Sequence, residues 1–260
     1  MSGTVAVDWS LDGKVALVTG AAPGGIGETY ARTLAAAGAA VVCADIREDG
    51  AAEVAAGLEA EGHRAIGVGV DITDPDSVES MTGTAASVFG GVDILVNNAA
   101  LMATVHPGPV LECDYDHWKH VMDVNLNGAY LCSRSVVPYM RERGGGRIVN
   151  QTSGGAYPPG TLYGITKLAL VGLTTTLARD LGPSRITANA IAPGMVESEA
   201  GKGLVPEGSA FREMISQAVA MQPFAAPEEL AGTLLLLTTP AGNWITGQVI
   251  HIDGGWILRP

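Results

Sequence analysis

Three side chains in one short stretch have the types and spacing for proton chemistry. Ser153, Tyr163 and Lys167 lie within NQTSGGAYPPGTLYGITKLALVGLTTTLARDL, residues 150–181. Tyr163 and Lys167 are four positions apart, so on a helix they stand one turn above each other on the same face. A phenol beside an ammonium makes a usable proton donor. Free tyrosine titrates at about 10, and a nearby cation favours its ionised form and lowers that value. General acid–base catalysis works best when the pKa approaches the operating pH. Tyr-x-x-x-Lys by itself also fits an exposed lysine beside a packed tyrosine on any amphipathic helix. The rest of the chain has to decide between the two.

The elements that must position these groups are readable in order. Lys14 to Gly20 (KVALVTG) is a short apolar run suited to a strand buried on both faces. Ala21-Ala-Pro-Gly24-Gly25-Ile26-Gly27 follows, then a helical stretch from Glu28 to Ala37. Strand, glycine turn and helix in that order suit a nucleotide site. The glycines let the backbone approach a pyrophosphate, and the N–H groups at the helix N-terminus attract its charge. Residues 39–45 (AAVVCAD) read as a second strand with Asp45 at its C-terminal end. A carboxylate at that distance from the glycines accepts hydrogen bonds from the adenosine ribose and repels a 2′-phosphate, which favours NAD over NADP. Arg47, two positions on, is the one group that opposes this reading.

Further along, 48–61 reads as helix, 64–70 as strand and 75–89 as helix, with Asp74 as N-cap and Pro75 at the first helical position. Residues 93–100 form a strand running into Asn97 and Asn98, which read either as turn formers or as a tie to the neighbouring strand. Residues 114–143 read as one long helix with Asn125 in its middle, a poor helix residue that flags a kink or a polar site. Asp114, His117 and His120 match no common metal-ligand spacing and read as a solvated face. Strands at 147–151 and 185–191, a helix at 227–238 and a stretch at 244–253 that contains the seventh strand complete the alternation. The expected fold is α/β, a Rossmann-type doubly wound, mostly parallel seven-stranded sheet with helices on both faces, and ligands outside the C-terminal strand ends. The expectation is a single dinucleotide-binding domain over residues 1–260. Residues 1–12 form a lead-in and 197–223 a candidate substrate lid.

Bulk properties narrow the function. A net charge of −12 argues against a nucleic-acid or anionic-membrane surface. Three cysteines, odd in number and without a CxxC pair, read as structural thiols in a reducing compartment. No basic-then-apolar leader is apparent, which points to the cytoplasm.

With these residues on the page, the chain resembles the short-chain dehydrogenase/reductase family over about residues 13–257. The ordered motifs are Thr19-Gly20 with Gly24–Gly27, Asp71, Asn97-Asn98-Ala99, Asn125, Ser153, Tyr163/Lys167, Pro193-Gly194, Thr246-Gly247-Gln248 and Asp253-Gly254-Gly255. The resemblance implies a role for each. Tyr163 is the acid/base. Lys167 lowers its pKa and binds the nicotinamide ribose. Ser153 holds the substrate oxygen, and Asn125 holds a water relaying protons from Lys167. Gly20, Gly25 and Ile26 cradle the cofactor, with Asp45 on the adenosine ribose and Asp71 and Ile72 on the adenine. Asn98 and Ala99 line the cofactor, Pro193, Gly194 and Val196 pack on the nicotinamide, and Ser198 reaches it where a threonine is common. Two further departures stand out: an extra residue in the glycine turn near Pro23, and only ten positions between Ser153 and Tyr163.

These features predict an NAD(H)-dependent oxidoreductase interconverting a secondary alcohol and a ketone, acting on a small molecule as a homotetramer. Met102, Tyr157, Met195 and the 204–221 region as pocket candidates point to an uncharged or apolar-ended substrate. The alternatives are an NADP(H)-dependent 3-oxoacyl thioester reductase, which Asp45 opposes, and a catalytically silent nucleotide-binding member, which the intact Asn125, Ser153, Tyr163 and Lys167 oppose.

Overall fold

β1 (Val15–Thr19) is buried at every position, and its side chains divide between two cores. Ala16 and Val18 join Tyr30, Leu34 and Val54 on one side. Val15 and Leu17 join Met81, Val136 and Met140 on the other. Alternate residues of a strand face opposite ways, so an unbroken apolar run is what a sheet covered on both faces requires. The computed structural model describes residues 7–157, 159–198, 208, 210–221 and 224–258.

Seven strands form one parallel sheet in the order β3-β2-β1-β4-β5-β6-β7. The others are β2 (Ala40–Asp45), β3 (Ala65–Gly69), β4 (Ile94–Asn97), β5 (Gly146–Gln151), β6 (Ile186–Pro193) and β7 (Val249–Ile252). Order runs outward in both directions from the β1/β4 boundary, so a crevice opens there at the C-terminal strand ends. The helices are α1 (Ile26–Ala36), α2 (Glu48–Ala60), α3 (Pro75–Phe89), α4 (Tyr115–Met122), α5 (Gly128–Glu142), α6 (Leu162–Leu181), α7 (Ala210–Ala218) and α8 (Ala231–Thr238). α1, α2 and α8 supply the first core and α3, α5 and α6 the second. The doubly wound expectation therefore holds, with every described pairing parallel.

Local chemistry sets the helix starts. Asp74 accepts from the Asp76 N–H with Pro75 at the first turn, as expected. Asp114 caps α4 through the Asp116 and His117 N–H groups. Thr161 caps α6 through the Gly164 N–H at 3.1 Å. Some boundaries differ from the sequence reading. The long 114–143 helix is interrupted by a π-helical turn at Asp123–Asn127, where Asn125 lies. Residues 227–230 form a 3₁₀ turn leading into α8. β7 occupies Val249–Ile252 inside the expected 244–253 stretch, and Gly247 turns the chain ahead of it with a φ of 72°. The side chain of Asn189 holds that turn by donating to Ile245 O. Of the expected lid, residues 199–207, 209, 222 and 223 lie outside the described residues.

Candidate active site

A cavity of about 950 Å³ opens at the C-terminal ends of the strands. Its lining brings together Gly20, Gly25, Ile26, Asp45, Asn98 and Ala99. From the far side come Ser153, Tyr163, Lys167, Pro193, Gly194, Val196 and Ser198. Most of the residues singled out in the sequence thus share one space.

The glycine turn is built by close approach. A Cβ at Gly27 would overlap the Gly20 carbonyl oxygen, so the first turn of α1 packs directly on backbone. Gly24 is left-handed, with φ 81°, which favours glycine. Gly25 is the N-cap of α1 and has no protein atom closer than 3.6 Å to where its Cβ would be. That separates the two glycines: Gly24 makes the turn, and Gly25 is small although packing does not demand it. Asn98 clamps this turn to β4. Its Nδ2 donates to Thr19 O at 2.9 Å and Gly20 O at 3.0 Å. Asn97 donates to Asn150 Oδ1 at 2.8 Å and ties β4 to β5.

Asp45 ends β2 and is largely buried. Its Oδ2 accepts from the Ala22 N–H at 3.1 Å and its Oδ1 from the Arg47 N–H at 3.0 Å. The carboxylate therefore holds the glycine turn from below while facing the cavity. The Arg47 guanidinium is 3.9 Å from the same oxygen and mostly exposed.

At the other end, Ser153 follows β5. Its hydroxyl accepts from the Gly155 N–H at 3.1 Å and is hydrogen-bonded to the Tyr163 phenol. The adjacent Thr152 donates to Ile191 O at 3.0 Å and is buried, so Ser153 is the hydroxyl that meets the tyrosine. Lys167 is almost fully buried, donates to Gln151 O at 2.8 Å, and has its Nζ 5.5 Å from the Tyr163 ring centroid.

The electrostatics correct one expectation. Burial pushes the Tyr163 phenol up to about 12, and the Ser153 hydrogen bond opposes that rise. Burial also draws Lys167 down to about 8. In the protein alone, desolvation of the pair outweighs the pull of ammonium on phenol. The sequence reading foresaw the attraction and not the dry surroundings.

Three expected site residues do not line the cavity. Asn125 is buried in the π turn. Its Oδ1 accepts from the Leu101 N–H at 2.7 Å, and its Nδ2 donates to Leu101 O at 2.9 Å and Thr166 Oγ1 at 3.1 Å. Its side chain thus joins the segment after β4 to α6, one residue before Lys167. Asp71 is exposed and accepts from the Thr73 N–H and hydroxyl. Ile72 packs on Gly128, where a Cβ would lie 2.6 Å from Ile72 Cδ1. Met102, Tyr157 and Met195 do line the cavity. Two contributors went unread in the sequence. One is the Gln151 carbonyl that holds Lys167, which no side-chain pattern reveals. The other is the tail Trp256–Leu258, which also lines the cavity. His117, set aside as a metal ligand, accepts from the His106 N–H at 3.2 Å. No helix among the described residues is long and apolar enough to cross a membrane.

Known proteins align along nearly the whole chain. The family model described as enoyl-(acyl carrier protein) reductase matches residues 20–257. An uncharacterized oxidoreductase of Mycobacterium tuberculosis is 45% identical over 248 residues, covering 95% of this chain and 99% of that protein. A 7α-hydroxysteroid dehydrogenase solved with NADH and 7-oxo glycochenodeoxycholic acid superposes with a TM-score of 0.89 at 32% identity, covering 95% of this chain and 96% of that one. A gluconate 5-dehydrogenase from Burkholderia cenocepacia, solved with NADP and tartrate, has a TM-score of 0.89 at 33% identity, covering 96% and 97%. With a glycine turn at the β1 end, a Ser–Tyr–Lys cluster at the β5 end and relatives matched end to end, the chain belongs to the short-chain dehydrogenase/reductase family of oxidoreductases.

Proposed function

We propose that the protein is an NAD(H)-dependent dehydrogenase/reductase that interconverts a secondary alcohol and a ketone, with Tyr163 as acid/base. The observation that carries this reading is the Ser153–Tyr163 hydrogen bond above a buried Lys167 at one end of a cavity whose other end holds Asp45.

The residues fit a dinucleotide. Gly25 lines the cavity without a packing reason to be small, which suits a ligand pressed on the α1 N-terminus. Asp45 spends one contact per oxygen on backbone N–H groups, leaving lone pairs for a ribose diol. Lys167 has donors beyond the one used on Gln151 O. When bound, a nicotinamide ring supplies the hydride acceptor or donor at carbon.

The chain's own residues handle the oxygen and its proton. Ser153 donates to the substrate oxygen and fixes it beside the phenol. In the oxidative direction Tyr163 takes the hydroxyl proton, and in reduction it returns it. Lys167 supplies the charge that makes this workable. An ammonium beneath the phenol ring favours the phenolate and opposes the rise that burial imposes on Tyr163. Asn125 acts by holding the Leu101 segment and Thr166 in place beneath the pair.

Arg47 favours a second reading of the cofactor, since an exposed guanidinium beside Asp45 offers donors to a 2′-phosphate. Asp45 is the more buried of the two, so NAD is the cofactor we assign. We also infer a homotetramer. The reading rests on the family and on exposed Tyr130 and Leu168 on α5 and α6, and light scattering tests it. Tyr163→Phe tests the chemistry. We expect loss of turnover by at least about a thousandfold, with NADH affinity within about twofold. Near-native rates in that variant refute the acid/base role.

A further inference from the structure

The chain's C-terminal turn packs against the residues that hold Ser153. Asp253 follows β7, and its carboxylate is largely buried. Oδ1 accepts from the Gly255 N–H and Oδ2 from the Ile257 N–H, each at 3.0 Å. The Trp256 N–H donates to Asp253 O at 3.1 Å. Three successive N–H groups of the tail are thus spent on one residue, which folds the chain back over the sheet edge. His251 Nδ1 is 3.6 Å from Asp253 Oδ2, and the His251 ring lies 5.7 Å from the Tyr157 ring.

This fold-back brings Trp256 against Gly154. A Cβ at Gly154 would lie 3.1 Å from Trp256 Cε3 and 3.2 Å from Cζ3. Gly154 is the neighbour of Ser153, and Gly155 donates to the Ser153 hydroxyl. The indole therefore packs on the backbone that carries the substrate-oxygen hydroxyl. Trp256, Ile257 and Leu258 all line the cavity, as do Tyr157 and Met102. Among the described residues, the charged side chains lining it are Asp45, Arg47 and Lys167. The first two belong to the β2 end, and the third lies beneath Tyr163. The wall made by the tail is uncharged.

We propose that the turn Asp253–Leu258 is the substrate wall. Trp256 is its specificity-determining residue, selecting neutral secondary alcohols and ketones whose reacting carbon belongs to an apolar ring, and Asp253 is its positioning residue. The proposal rests on the alcohol–ketone reading above and names its substrate class. An apolar ring gains by burying area against an indole. A carboxylate on the same ring enters a desolvated space with no counter-charge.

The test reads binding without turnover. The full chain is saturated with NADH, and dead-end complexes with cyclohexanol, 2-propanol and a carboxylate-bearing cyclohexanol are measured by calorimetry. Wild type is expected to bind cyclohexanol at least about tenfold tighter than either other alcohol. Trp256→Ala is expected to weaken cyclohexanol by about tenfold, with NADH and 2-propanol shifted by less than about twofold. Trp256→Phe restores most of the cyclohexanol affinity. Asp253→Ala gives the same selective loss, seen as a weaker cyclohexanol complex with NADH and 2-propanol affinities held. An unchanged cyclohexanol to 2-propanol ratio in Trp256→Ala overturns the proposal. So does absence of cyclohexanol binding to wild type, or equal binding of the carboxylate analogue. Failure here concerns affinity, whereas failure of the hydride-transfer reading appears in the Tyr163→Phe rates.

Discussion

Replacing Lys167 with methionine is expected to stabilise the protein while removing its activity. Lys167 is 2% exposed, and burial draws its pKa down to about 8. In the unfolded chain lysine holds its proton up to about 10.4. Between about pH 8 and 10.4 the unfolded chain binds more protons than the folded one, so stability rises with pH across that window. Below pH 8 the folded protein carries the whole penalty of keeping an ammonium out of water. At about 1.4 kcal/mol per pKa unit this penalty is roughly 3 kcal/mol. Methionine keeps the unbranched shape without the charge. It also leaves the Gln151 carbonyl without the donor now at 2.8 Å, a loss of about 1 kcal/mol. The net gain at pH 7 is therefore about 2 kcal/mol, or roughly 4–8 °C in Tm for a chain of this size. By about pH 9.5 most of the wild-type amine is neutral, and the difference shrinks toward zero. Thermal unfolding of both proteins without cofactor, from pH 7 to 9.5, checks this directly. A Tm difference that stays flat over that range, or a variant less stable than wild type at pH 7, would refute the argument that this lysine is held against its own solvation.

Two further perturbations separate cofactor contacts from folding. Asp45→Ser removes the carboxylate that faces the cavity and accepts from Ala22 and Arg47. It is expected to lower the kcat/KM ratio for NAD over NADP by about tenfold or more, as loss of a ribose acceptor and of a charge beside Arg47 implies. An unchanged ratio in steady-state assays with both cofactors places the ribose contact elsewhere. Gly27→Ala drives a methyl into the Gly20 carbonyl and is expected to destabilise the fold by about 2–4 kcal/mol in urea unfolding. Gly25→Ala, with no protein atom within 3.6 Å of the new methyl, is expected to keep the stability within about 0.5 kcal/mol. Its NADH affinity should fall at least about tenfold, read by fluorescence titration. Equal NADH affinity in the Gly25 variant would mean that nothing presses on the α1 N-terminus.

How much of this molecule could be read in advance follows from the range of the forces involved. β1 and β2 are continuous apolar runs because both faces of the sheet are covered, so their identity is local. The α3 start is local too, since Asp74 and Pro75 act within one turn. The Tyr163–Lys167 pairing needs only helical spacing. Asn125 signalled a break in its helix, yet its work is a clamp on Leu101, 24 residues away in sequence. Sequence spacing contains no trace of that partner. The Lys167 shift has the same origin: its type and position were plain, but its burial depends on α6 packing over the end of β5. The tail is the clearest case. Asp253-Gly-Gly-Trp-Ile-Leu has no periodicity to betray a role. Its place follows from β7 lying beside β6 in the sheet, which brings Asp253 to the Pro193–Gly194 turn; a Cβ on Gly194 would lie 2.7 Å from Asp253 Cα. Local pattern therefore marks the atoms that do the chemistry. The wall of the cavity is set instead by contacts between segments some hundred residues apart, such as Gly154 with Trp256.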